Sequence, residues 1–489
     1  MLPYKTILRL DTKSRTPKYL QITNEFIKHI SQGTIAPGQK LPGSRQLSEL
    51  LAVNRRTIIS AYDELAAQGW VSIEPNRGCY VTEKLPLSKP EQLTKVRSIK
   101  RENHSTHFSL DYETSDKPID ENYDFVINDG YPDVRLAPLR DLAKNYSYIM
   151  NSSISRSVMS YKQKFLGDEV LRQELVKYLA ETRSIHVDID NIMITRGSLA
   201  AFHILFKTIL QTDDQVAVGY PGFNEGHEAI TLAGGQINPI PIDNEGLVVD
   251  ELEKLCRSKL IRAVFIIPHH HYPTTVSLSA ARRMQLLQLA EKFGFAIIED
   301  DYDYDFHYSS SPILPLASTD YLGSVAYVGS LSKTLAPSLR IGFIVAPKKL
   351  IEAACHISRA IDSFGNTGME RAVAMLFRDG LIRRHLRKAL QTYRERRDHF
   401  CALLENELGD YLNFNIPEGG LAIWTQLKRH NLQQLQEAGK VNHINIPNEL
   451  GFCLSPFESG SMRIGFASMN LKEAQMLIEQ LRRSFEYLD

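Results

Sequence analysis

The sequence predicts an α/β chain in two parts, a small head of helices and one hairpin followed by a large domain on a mainly parallel sheet. Three observations carry this reading. Apolar residues in the first eighty positions recur at three- and four-residue steps, as on helices that bury one face. From residue 123 onward, short continuous apolar runs alternate with helical patterns, as in a parallel sheet covered on both faces. Between them, residues 83–122 hold Pro86, Ser88, Pro90, Ser98 and Ser105 among mixed charges with no sustained period, the composition of a linker. The expected partition is 1–82, 83–122 and 123–489.

The head is read element by element. Tyr19, Ile22, Phe26, Ile27 and Ile30 mark one apolar helical face that stops at Gly33. A second, short helix follows Pro42-Gly43, with Ser44 expected as its cap and Leu47, Leu50 and Leu51 turned inward. Asn54 is expected to cap a third helix whose buried stripe is Ile58, Ala61, Tyr62 and Leu65. Its exposed tip carries Arg55, Arg56 and Thr57. Alternating residues on either side of Pro75-Asn76-Arg77-Gly78 then predict a hairpin. Three helices and a hairpin make a winged helix-turn-helix, which reads double-stranded DNA with the tip of its third helix while the wing reaches a neighbouring groove.

Charge agrees with that placement. The chain of 489 residues is formally neutral, but residues 1–85 carry 12 Lys/Arg against 7 Asp/Glu, whereas residues 123–489 carry 39 against 43. The basic excess falls where a phosphate backbone would use it. Five cysteines, far apart and without a C-x-x-C pair, give no disulfide framework or zinc site. No apolar run reaches the length of a membrane span and no signal-peptide core is visible, so a cytosolic location without membrane contact is expected.

In the large domain the strand-like runs are Gln215–Gly219, Ala263–Ile267, Phe295–Ile298, Val325–Val328 and Phe343–Ala346. Ligands bind at the carboxyl ends of such strands, and the notable polar residues fall there. Gly197-Ser198-Leu199 follows the run Ile192–Thr195 and opens a helix, whose free N–H groups suit a phosphate. Asp300 ends a strand and can keep a pyridine nitrogen protonated, while Tyr302, two residues on, faces the same side. Lys333 stands in the tight polar turn Ser330–Arg340, where a lysine can form a Schiff base and where Ser330 and Arg340 can take a phosphate. Phe223, beside a Pro-Gly turn, is a candidate to lie against a cofactor ring. Each alone is an ordinary residue, but together they are the groups that hold pyridoxal 5′-phosphate (PLP).

Residues 17–82, through Leu41-Pro42-Gly43-Ser44-Arg45 and Asn54-Arg55-Arg56-Thr57, resemble the GntR-type DNA-binding domain. That resemblance implies DNA contacts by Arg45, Arg55, Thr57 and Gly78, to which Arg56 and Arg77 are added from their position. Gly197 to Arg340 resembles the fold-type I PLP enzymes of the aminotransferase superfamily. The whole chain is similar to the MocR subfamily of regulators, which implies a C-terminal small subdomain and PLP as cofactor. The resemblance also implies Lys333 as the Schiff-base lysine, Asp300 on the ring nitrogen, Tyr302 on the phenolic oxygen and Arg340 on the phosphate. Arg463 matches the arginine that binds a substrate carboxylate.

Two departures stand out. Where the subfamily has His-Gln-aromatic-Pro-x-Gly, this chain has His270-His271-Tyr272-Pro273-Thr274-Thr275, and the spacing from Tyr161 to Gly167 is one residue longer than usual. His269, His270 and His271 are not read as a metal site, since consecutive residues rarely converge on one ion. The expected function is a homodimeric transcription regulator that senses PLP or an amine or amino-acid effector through Lys333, used as a sensor rather than an enzyme. The alternative is a working aminotransferase that carries a DNA-binding domain.

Overall fold

The computed structural model describes residues 2–489 apart from 12, 13, 15, 76, 87–122, 161–164, 309–312, 362–364 and 448–459. The expected linker from residue 87 onward, and Tyr161 with its spacing, therefore lie outside the described residues. The chain forms two compact units, Met1–Lys117 and Pro118–Asp489.

Among its described residues the first unit has four helices, α1 (Tyr4–Ile7), α2 (Lys18–Ser31), α3 (Ser44–Leu51) and α4 (Arg55–Ala67), and an antiparallel hairpin of β1 (Val71–Glu74) and β2 (Gly78–Val81). Its core is the apolar stripe of α2 against that of α4, with Phe26 set between the rings of Tyr4 and Tyr62 at 6.2 and 5.8 Å. The α1 turn is not legible in the sequence, because one turn gives too few residues for a period. Asn54 caps α4 as expected, its side chain accepting from the Arg56 N–H at 2.8 Å. Ser44 does not cap α3: it is the first helical residue, Gly43 holds the cap position, and the Ser44 hydroxyl accepts from Arg55 Nε at 3.2 Å. Leu47 is buried, but Leu50 is 37 % exposed, since an eight-residue helix packed on one side shields only part of its leucines.

The second unit is built on an eight-stranded sheet of β3 (Ile192–Thr195), β4 (Gln215–Tyr220), β5 (Gln236–Asp243), β6 (Gly246–Leu247), β7 (Ile261–Ile266), β8 (Ala296–Asp301), β9 (Val325–Ser330) and β10 (Gly342–Val345). The order across the sheet is β3-β10-β9-β8-β7-β4-β5-β6. The five strands from β9 to β5 pair in parallel, while β10 is antiparallel to both its neighbours and β6 closes the far edge in antiparallel fashion. The central strands are buried along nearly their whole length, which is why they read as continuous apolar runs. A C-terminal subdomain packs helices Leu381–Leu408 and Leu471–Glu486 on a three-stranded antiparallel sheet, β11 (Leu412–Phe414), β12 (Ala422–Leu427) and β13 (Ser461–Gly465).

Candidate functional site

Parallel strands end on one side of the sheet, and there β8, β9 and the turn after β9 converge on a cavity of about 200 Å³. Its walls include Ser198, Phe223, Asp300, Tyr302, Ser330, Lys333, Arg340 and Arg463, so the residues singled out in this domain meet in one place, except that Leu199 packs beside the core rather than on the cavity wall. Asp129, Tyr131 and Tyr272 also line it. Sequence reasoning misses them, because Asp129 and Tyr131 lie in a loop with no period and are brought in only by the fold. A larger cavity of about 430 Å³ beside Ile194 and Glu370 lacks the lysine and the strand-end carboxylate.

The run Glu299–Asp305 places seven polar or aromatic residues in sequence, and the fold gives each its own task. Glu299 accepts the N–H groups of Leu316 and Ala317 at 2.8 and 2.9 Å, and burial pushes its carboxyl up to about 8. Asp300 is 4 % exposed, its Oδ1 has no hydrogen-bond partner, and burial followed by the charge of Asp301 raises its carboxyl well above the usual range. Asp301 is also buried, yet His269 at 3.2 Å and the Tyr327 hydroxyl at 2.7 Å hold it below the usual range against that burial. Asp303 pairs with His270 Nδ1 at 2.9 Å, and Asp305 with Arg183 at 3.2 Å and the Tyr178 hydroxyl at 2.7 Å. Asp300 is thus the carboxylate of the run that faces the cavity with an unmatched oxygen.

Lys333 Nζ donates to the Gly130 carbonyl at 2.7 Å and lies 5.2 Å from the Tyr131 ring centre. Burial lowers its ammonium from the usual lysine range, the change a Schiff-base lysine needs, since only the neutral amine is nucleophilic. The Tyr302 hydroxyl donates to the His270 carbonyl at 2.9 Å and accepts from Arg463 at 3.2 Å. Arg463, on β13, also donates to the carbonyls of Asp129 and Pro273, each at 2.8 Å.

At the start of the helix expected to take a phosphate, Arg340 approaches Gly197 closely. Gly197 has φ +80° and opens its helix directly, and a Cβ there would lie 3.0 Å from the Arg340 guanidinium. Only glycine leaves room for Arg340 beside the free N–H groups. Arg340 itself is exposed and donates to the Arg196 carbonyl at 3.2 Å.

The three histidines do not converge: His269 meets Asp301, His270 meets Asp303, and His271 Nε2 meets the Pro221 carbonyl at 2.9 Å. Thr275, standing where the subfamily has glycine, keeps a glycine-like backbone at φ +64°, and its N–H closes the turn on the His271 carbonyl at 2.7 Å. The loop thus keeps the turn by accepting backbone strain in a β-branched residue.

In the first unit, Arg45, Arg55, Arg56 and Arg77 are exposed and Thr57 is half-buried. Arg55 reaches the start of α3 through its bond to Ser44, the residue before Arg45, and Arg77 stands on the wing, 3.5 Å from Glu74. Gly78 has φ +122°, and a side chain there would press on Lys40, which lies over the Tyr80 ring at 5.5 Å.

Two family models match the chain. Residues 134–481 match the model for aminotransferase class I and II, and residues 18–81 match that for bacterial regulatory proteins of the gntR family. The fold is shared with a multiple substrate aminotransferase from Thermococcus profundus, with a TM-score of 0.70 at 23 % identity over 75 % of this chain and 92 % of that one. The chain is therefore an aminotransferase class I and II fold carried behind a GntR helix-turn-helix domain. It is 26 % identical to the probable rhizopine catabolism regulatory protein MocR of Rhizobium meliloti, covering 99 % of this chain and 97 % of that protein. It is also 26 % identical to the pyridoxine biosynthesis regulator PdxR of Corynebacterium glutamicum, covering 82 % and 81 %. The chain belongs to the MocR subfamily of helix-turn-helix regulators. Among the described residues, no helix is long and apolar enough to cross a membrane.

Proposed function

We propose that this chain is a homodimeric, PLP-dependent transcription regulator that holds PLP covalently at Lys333 and reads an amine or amino-acid effector through that link. The observation that carries the proposal is Asp300: a buried carboxylate with an unpartnered oxygen, in the same cavity as the lysine amine. A buried acceptor left unmatched is costly, and a protonated ring nitrogen is the partner that would satisfy it. PLP, when bound, supplies an aldehyde for the amine and an electron-withdrawing ring. Around it, Tyr302 would hold the phenolic oxygen, Phe223 one face of the ring, and Ser330, Arg340 and the N–H groups of Ser198 and Leu199 the phosphate. Where the effector carries a carboxylate, Arg463 is the group it would meet. Arg45, Arg55, Arg56 and Thr57 would contact operator DNA, with Arg77 and Gly78 on the wing.

For the effector to act as a signal it must bind one arrangement of the dimer better than another. A catalyst and a sensor built on the same pocket diverge once the amine is bound. Mixing the PLP-loaded protein with amino donors and keto acids separates them: the sensor gives a spectral change that stalls after one equivalent and alters operator footprinting. Sustained turnover without any change in the footprint would instead identify an aminotransferase.

A further inference from the structure

We infer that the pocket selects a cationic amine over an amino acid, and that Asp129 is the residue that decides it. The inference rests on the PLP reading above and narrows the effector class it leaves open.

Asp129 lies in a loop held firmly in place. Asn128 Oδ1 accepts the N–H groups of Gly130 and Tyr131 at 3.0 and 2.9 Å, Gly465 donates to the Asn128 carbonyl at 2.6 Å, and Arg463 Nε fixes the Asp129 carbonyl at 2.8 Å. Around the Lys333 amine the loop sets a carbonyl (Gly130) and, on the cavity wall, a carboxylate (Asp129) and an aromatic face (Tyr131), the set that binds an ammonium by hydrogen bond, charge and ring quadrupole. The chain's own lysine demonstrates the fit. Lys333 Nζ rests on the Gly130 carbonyl and over the Tyr131 ring, and Asp129 is foremost among the charges that favour its protonated form. When Nζ is committed to the coenzyme, these acceptors face the cavity without a cation, and Asp129 Oδ1 is already buried with no partner. An incoming ammonium relieves that cost.

A carboxylate meets the opposite situation. Arg463 is 3 % exposed, three of its donors are spent on Asp129, Pro273 and Tyr302, and its guanidinium lies 5.0 Å from the Tyr272 ring centre. The Asp129 carboxylate lies close enough to offset part of its charge. An entering carboxylate would therefore gain little from the arginine and be repelled by the aspartate.

The test uses three ligands with the same reactive aminomethyl end: 1,5-diaminopentane, pentylamine and 5-aminopentanoate. Each is titrated into full-length, PLP-loaded protein and followed by coenzyme absorbance. The expected half-saturation for the diamine lies at least about tenfold below that of 5-aminopentanoate, with pentylamine between them. Asp129→Asn should shrink the gap to less than about threefold, and Asp129→Glu should keep most of it. Preference for 5-aminopentanoate in the parent protein, or an unchanged gap in Asp129→Asn, would overturn the inference. So would loss of the coenzyme band from a folded Asp129→Asn protein, which would assign the aspartate to holding Lys333 alone. Absence of any coenzyme band in the parent protein is a separate result: it defeats the PLP reading before an amine is added, and this inference with it.

Discussion

Arg45, Arg55 and Arg56 stand in solvent on the head, whereas Asp300, Asp301 and Asp303 are buried in the large domain, and the two regions should respond to substitution in different ways. An exposed charge waits for its partner and contributes little to the fold until it binds. A buried charge is matched at once by its neighbours, and where a match is missing, as at Asp300 Oδ1, the gap points to a ligand. Removing a head arginine should therefore change DNA affinity alone, while removing a pocket carboxylate should change coenzyme retention. Each result tests the separation of the two regions.

The largest effect is expected at Asp300. Asp300→Ala removes the proposed buried partner of the ring nitrogen, and PLP should bind more weakly by about 3–5 kcal/mol, the usual cost of breaking a buried charged pair. Equilibrium dialysis measures it, and operator binding by the unliganded protein should be unaltered. An unchanged PLP affinity would remove Asp300 from its assigned role.

Next is the acid sensitivity of the histidine loop. Burial lowers His271 to about 4, so the fold disfavours its protonated form. The stability this histidine contributes is complete above the unfolded value near 6.5 and is lost as pH falls toward 4. The span is worth up to about 3 kcal/mol. His271→Gln, which restores the residue of the subfamily motif, should flatten the loss of stability between those pH values in denaturant unfolding; an identical pH slope would refute it. The smallest effect belongs to the head: Arg55→Ala should weaken operator binding by about 1–3 kcal/mol and leave the coenzyme spectrum intact. A changed spectrum would show that the two regions are not independent.

The two regions are also unequally legible in the sequence. In the head, Ile58, Ala61, Tyr62 and Leu65 are all buried, since helical spacing alone decides which face turns inward. Ser44 misleads, because Gly43 already fills the cap position that its hydroxyl suggests. In the large domain the strands are visible as apolar runs, and alternation places Asp300 and Tyr302 on one side of the chain, where both line the cavity. What alternation cannot supply is the partner. Arg183, His269 and Tyr327 reach Asp301 or Asp305 from distant segments, and nothing local in Glu299–Asp305 says which carboxylate is matched and which is left open. Asp129 is invisible for the same reason: its position beside Lys333 is set by Arg463, which comes from the other end of the domain. The positive φ of Thr275 cannot be read either, because the residue type argues against it.

The proposed sensing depends on the amine of Lys333. Borohydride reduction of the PLP-loaded protein, followed by peptide mass spectrometry, should place a stable pyridoxyl group on Lys333, and Lys333→Ala should remain unlabelled while still binding operator DNA. A reduced, folded protein in which that lysine carries no label, or in which another lysine carries it, would contradict the central claim.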